Sequence, residues 1–181
     1  MENEKNISKD IFEWLEELAI AIMLIVVLFS FLFRVITVSG ESMFDNYYDG
    51  DRLIVTTLTG EIKQGDVVVI IDALEKPIIK RVIATEGQTV DIDNSTGTVY
   101  VDGEELDNTQ FDVDNGITYT SDQDASRFPL TVPEGCVFVL GDNRVVSLDS
   151  RYAEVGTIPT EKILGKSVVR IYPFSRIGTT K

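Results

Sequence analysis

The run LAIAIMLIVVLFSFLF at Leu18–Phe33, continued by RVITVSG up to Gly40, divides this chain into two kinds of structure. The first sixteen residues contain one polar side chain, Ser30. As a helix they cover roughly 24 Å, close to the ~30 Å hydrocarbon core of a bilayer. Arg34 can snorkel to the headgroups on one side, and Trp14 can occupy the interface on the other. A cleaved secretory leader fits less well, because the preceding tail is acidic and no small-residue cleavage signal follows. Lys5 and Lys9 before the span and Arg34 and Arg52 after it leave the charge bias nearly balanced. A short tail before the span and a whole domain after it favour a cytoplasmic N-terminus.

After Val38 the pattern becomes that of strands. Arg52–Thr56, Asp66–Ile71, Ile78–Glu86, Val90–Asp93, Thr98–Val101, Cys136–Leu140 and Ser167–Ile171 are short, rich in Val, Ile and Thr, and bounded by Gly, Asp and Asn. Asn94-Ser95-Thr96-Gly97 and Asp102-Gly103 read as hairpin turns. No later segment holds helical periodicity over ten residues. The expected fold is therefore mainly β, with antiparallel pairing, behind one N-terminal transmembrane helix. Residues 1–38 form tail and anchor, and 39–181 form the extracytoplasmic domain. A small insertion, about 88–131, includes Asp102–Ser126, which carries eight carboxylates and no Lys or Arg. That acidic stretch reads as solvated and mobile. Asp112 and Asp114 have the spacing of calcium ligands, but Gly116 falls out of register with an EF-hand loop.

Composition excludes several chemistries. The 181 residues carry a formal net charge of −14, and the 16 basic residues form no run longer than two, which argues against nucleic acid. There is no histidine, so Ser-His-Asp and Cys-His peptidases and histidine-ligated zinc hydrolases are out. The single cysteine, Cys136, lies in an apolar run and reads as a small buried hydrophobe. So few transition-metal ligands imply that no metal or other cofactor is needed, and that EDTA leaves activity intact.

Three segments carry candidate chemistry. Ser42 stands in Ser39-Gly40-Glu41-Ser42-Met43, a loop where a serine is ordinarily a turn residue. Lys80 stands in Ile78-Ile79-Lys80-Arg81-Val82-Ile83, and the period-two rule puts Ile78 and Val82 on its own face. That is a poor place for an ammonium unless it is wanted neutral, and burial there predicts a depressed pKa. The third is Gly141-Asp142-Asn143-Arg144-Val145-Val146-Ser147-Leu148-Asp149-Ser150-Arg151, a dense polar loop after an apolar strand. Asp142, Asp149 and Arg151 can equally be a structural turn stapled by ion pairs.

In order, these segments resemble the type I signal peptidases, in their Gram-positive form. Gly40-Glu41-Ser42-Met43 with Gly50-Asp51 resembles the nucleophile box, Gly65-Asp66-Val67-Val68-Val69 the strand before the base, and Lys80-Arg81-Val82-Ile83 the base box. Gly141-Asp142-Asn143-Arg144 with Ser147, Asp149, Ser150 and Arg151 resembles the last box. Two departures stand out. Asp45-Asn46-Tyr47 replaces the usual Pro-Thr-Leu, and Val145-Val146 replaces a polar or acidic pair. The lost proline leaves the loop after Ser42 less constrained in φ.

The resemblance implies a large antiparallel sheet and a serine endopeptidase that removes signal peptides from exported preproteins, with small residues at positions −1 and −3. The substrate adds as a strand. Ser42 is the nucleophile, Lys80 the general base, Ser147 orients Lys80 by a hydrogen bond, and the Ser42 backbone N–H serves the oxyanion. Gly40 stands where some members add a hydroxyl donor. Arg81, Asp142, Asp149 and Arg151 are implied scaffolding. Partners are preproteins and the lipid bilayer, not nucleic acid. A self-cleaving Ser/Lys repressor-type peptidase would need a DNA-binding domain in place of the membrane span. A non-catalytic membrane-tethered β module that binds peptides would not need both Ser42 and Lys80.

Overall fold

The structure, a computed structural model, describes residues 2–113 and 115–180. The chain forms two compact units, residues 1–34 and 35–181. The first is helix α1, Glu2–Leu32. Its stretch Ile11–Leu32 is 22 residues long and reaches a mean hydropathy of 2.5. At ~1.5 Å per residue that is roughly 33 Å, enough to cross a bilayer core. It is longer than the uninterrupted Leu18–Phe33 run because Ile11, Phe12, Trp14 and Leu15 extend the apolar surface.

The second unit is built on two sheets. The larger contains β1 (Phe33–Thr37), β2 (Arg52–Thr56), β3 (Val67–Ile70), β4 (Ile78–Thr85), β9 (Cys136–Leu140), β10 (Ile158–Pro159), β11 (Ile163–Tyr172) and β12 (Gly178–Thr179). The order is β1-β2-β11-β3-β4-β9-β10, with β12 on β11, and the pairings from β2 to β10 are antiparallel. The smaller sheet, order β7-β6-β5-β8, uses β5 (Thr89–Asp93), β6 (Thr98–Val101), β7 (Glu104–Glu105) and β8 (Leu130–Thr131). A short helix, α2 (Asp122–Ala125), precedes β8. The sequence boundary at residue 38 falls late, because Phe33–Thr37 is already a strand of the large sheet.

The valine-rich strands have both faces covered. Val68, Val82, Val137 and Val139 pack in one cluster, and Ile83, Val90, Val99, Phe138 and Leu140 in another. The second cluster also takes in Leu106, Phe111 and Val113. The acidic insertion, expected as a solvated loop, is largely exposed but also sends anchors into this core. Leu106, Phe111 and Val113 are buried while Ile117 and Tyr119 are half exposed, Ser121 caps α2 by accepting from Asp124 N–H, and Asp124 itself is buried. The expected Asp112/Asp114 pair cannot be described, since Asp114 lies outside the described residues. Among the described residues no three His, Cys, Asp or Glu side chains cluster as metal ligands.

Candidate active site

Ser42 opens a turn between β1 and β2. Val38 N–H donates to Asp51 O at 2.8 Å and Gly50 N–H to Val38 O at 3.0 Å, which pinches the loop into a closed excursion. Gly40 has φ +85°, a left-handed conformation that favours glycine, and its N–H donates to Asp49 Oδ1 at 2.9 Å. Met43 and Tyr47 anchor the loop, at 1% and 2% exposure, so the backbone at Ser42 rests on buried side chains. Burial pushes the Tyr47 phenol up to about 12, with the Arg81 guanidinium acting the other way.

Lys80 lies in β4, paired with Val68 of β3. Its side chain is 3% exposed, and its Nζ is 2.7 Å from Ser42 Oγ. Among the described residues no carboxylate is within ion-pair distance of it. Burial pulls the Lys80 ammonium down to about 8; Asp149 and Asp142 act against that, and Arg151 acts with it. At pH 8 roughly half of such a lysine is neutral, against well under 1% of a free one. The hydroxyl and the amine thus have the separation and the protonation range that nucleophile and base require. The Ser42 N–H donates to no acceptor among the described residues, which leaves it free for an oxyanion.

A cleft of about 440 Å³ leads to the pair. Ile36, Thr37, Val38 and Ser39 line it from one side and Pro77, Ile78, Ile79 and Lys80 from the other, with Val69 and Leu164 between. Lys76, which lies outside the base box, also lines this cleft.

The third box brackets the pair from below. Asn143 N–H donates to Ser42 O at 3.1 Å, and Asn143 Nδ2 donates to Glu41 O at 3.2 Å. A Cβ at Gly141 would overlap both the Ser147 hydroxyl and the Ser42 carbonyl oxygen, so glycine is what lets the two loops meet. Arg81 and Asp142 form a bidentate pair, Nε–Oδ1 2.8 Å and Nη2–Oδ2 2.7 Å, with side chains 0% and 1% exposed. Arg151 and Asp149 form a second, with Asp149 Oδ2 also accepting from Gly141 N–H at 3.0 Å. Arg151 donates further to Ser147 O and Tyr119 O.

Ser147 departs from expectation. Its side chain is buried beside Gly141 and Ser42 O, but its Oγ has no hydrogen-bond partner and does not bond Lys80. The one side-chain bond of Lys80 goes to Ser42. A buried hydroxyl without a partner costs about 1–3 kcal/mol.

Two residues escaped the sequence reading. Asn46 Nδ2 donates to Asp142 Oδ2 at 2.9 Å and to Phe111 O at 3.0 Å, so the residue in place of the usual threonine ties the nucleophile loop to the buried ion pair. These bonds hold the loop that lacks its proline. Asp51, at 1% exposure, accepts from Arg170 at 3.3 Å and Arg176 at 2.7 Å. Its place in Gly50-Asp51 was visible, but its partners lie more than 100 positions away, beyond any local pattern.

The family model described as "Signal peptidase, peptidase S26" matches residues 11–172. The chain is 35% identical over 193 residues to "Signal peptidase I" of Bacillus licheniformis, covering 99% of this chain and 100% of that protein. It is 34% identical to "Signal peptidase I T" of Bacillus subtilis (strain 168), over 93% of this chain and 89% of the relative. It is also 34% identical to "Signal peptidase IB" of Staphylococcus aureus (strain COL), over 92% of each.

Proposed function

The chain belongs to the signal peptidase family, and from that premise we propose that it is a membrane-tethered endopeptidase in which Ser42 is the nucleophile and Lys80 the general base. The carrying observation is the 2.7 Å contact of Ser42 Oγ with a lysine whose ammonium burial pulls down to about 8. Substrates are exported preproteins. Their last signal residues lie in the cleft between Ile36–Ser39 and Pro77–Ile79, bonded to main chain on both sides, with small side chains facing its apolar wall.

Neutral Lys80 takes the Ser42 proton as Oγ attacks the scissile carbonyl carbon, and the free Ser42 N–H stabilises the oxyanion. The ammonium then protonates the leaving amine, which gives an acyl-enzyme and restores neutral lysine. Lys80 next deprotonates a water that attacks the ester, and its ammonium returns that proton to Ser42 Oγ as the acyl group leaves. Once Ser42 is acylated its Oγ is a poor acceptor, and the unpartnered Ser147 hydroxyl then holds the neutral Lys80 amine toward the water. Ser147 is thereby a positioning residue for the second half of the cycle. Arg81, Asp142, Asp149 and Arg151 hold the loops. Helix α1 anchors the chain with its tail in the cytoplasm and the catalytic unit outside.

The test is incubation of purified protein in detergent with a preprotein, and mapping of the cut. Ser42→Ala and Lys80→Ala should each abolish cleavage while remaining folded, with Lys162→Ala as an active control. Normal cleavage by either dyad variant would refute the assignment.

A further inference from the structure

Resting on that peptidase reading, we propose that a second pocket beside Ser42 receives the residues just downstream of the cut and disfavours acidic side chains there. The pocket, about 160 Å³, is lined by Phe44, Asp45, Asp142, Asn143, Arg144 and Val145, among others. It shares no lining residue with the 440 Å³ cleft, yet its wall reaches the nucleophile directly through the Asn143 N–H bond to Ser42 O. A peptide whose signal residues fill the cleft must carry its newly freed end past Ser42. Phe44 and Asn143 flank that exit.

The composition of the exit is unusual. Val145 is 76% exposed, Val146 56% and Phe44 40%, on the two loops that the Asn143 bond to Ser42 O joins. Val145 and Val146 belong to no buried cluster. Exposed carboxylates, Glu41, Asp45 and Asp49, stand on the same nucleophile loop. Arg144, the cation in the lining, does not offset them, since it is buried and engaged by Gly141 O, Thr118 Oγ1 and Asn108 Oδ1. An apolar side chain placed here gains contact with valine, whereas a carboxylate meets like charge with no partner.

The experiment uses two preproteins identical through the cut, with valine or aspartate in the two positions after it. The purified full-length protein in detergent should show a kcat/KM ratio favouring valine by about 10-fold, the scale of small pocket contacts. Val145→Lys should narrow that ratio to near unity, and Val145→Asp should widen it. Leu58→Asp, on an exposed loop elsewhere, should leave the ratio unchanged. Because the leaving peptide has departed before deacylation, the effect belongs to kcat/KM. The same ratio in wild type and both Val145 variants would overturn this inference alone. Failure of the wild type to cut either substrate would bring down the peptidase reading, and this one with it.

Discussion

Lys80 and Arg81 are neighbours on β4, point to opposite faces, and are 3% and 0% exposed, yet the fold treats them in opposite ways. Arg81 receives everything an internal cation needs: a bidentate carboxylate, the Gly65 carbonyl at 3.0 Å, and the face of Phe111 at 5.2 Å. Lys80 receives one hydroxyl. Burial without a counter-ion is what the base role proposed for Lys80 requires, and burial with one ties Arg81 into the frame. Burial is common to both, and partner supply makes the difference.

The sharpest way to break this contrast is to make the two alike. Lys80→Arg puts a permanent cation next to Ser42 and should lower kcat/KM by about 10⁴-fold or more, the scale on which members of such a catalytic unit act. Preprotein cleavage at wild-type rate would show that deprotonation at this position is irrelevant.

Stripping Arg81 of its partner is the converse change. Asp142→Ala leaves a buried guanidinium uncompensated and should destabilise by about 3–5 kcal/mol, read as a lowered urea midpoint. A shift below about 1 kcal/mol would mean that the pair is not the tie described.

Removing the unpartnered charge should have the opposite sign. The folded-state pKa of Lys80, about 8, lies below its ordinary 10.5. The unfolded chain therefore binds more protons between those values, so stability rises with pH across that window and the penalty is complete below it. Lys80→Met should stabilise the protein at pH 7 by up to about 3 kcal/mol, with the gain fading as pH approaches 10.5. A gain constant with pH would point to packing instead.

The same ionisation should govern rate. kcat/KM should rise through a single step near pH 8, about tenfold per unit below it. A midpoint near that of free lysine would refute the role of burial. The smallest effect belongs to Asn46→Ala, which loosens Asp142 and should cost about 1.5 kcal/mol with little change in the pH profile. A shifted profile would mean that Asn46 acts on the base as well.

Much of this was readable from local pattern. Arg52–Thr56, Thr98–Val101 and Cys136–Leu140 are strands with the bounds their composition indicates, and Lys80 between Ile78 and Val82 announced its own burial. β11 was seen only as Ser167–Ile171, because Gly165 and Lys166 break the apolar pattern; Gly165 is there because a Cβ would overlap Thr56 O of β2. β1 was hidden in the apolar continuation of the anchor, where a strand and a helix end look the same. The anchoring of the insertion is hidden for a different reason. Its anchors, Phe111, Val113 and Thr118, follow no period, and the arginines that hold it come from the 141–151 loop. Whether the Ser147 hydroxyl comes within reach of Lys80 depends on how the 141–151 loop packs, which no spacing encodes.

Arg151 reaches the insertion at Tyr119 O, and Arg144 reaches it at Gly116 O as well as through two side chains. A main-chain oxygen is the one acceptor that no point mutation deletes. Ile117 and Tyr119, half exposed beside these grips, are therefore free to drift in identity without loosening the loop under Ser42. Shortening the segment by a single residue would move both oxygens at once. The insertion is thus permissive in letters and strict in length.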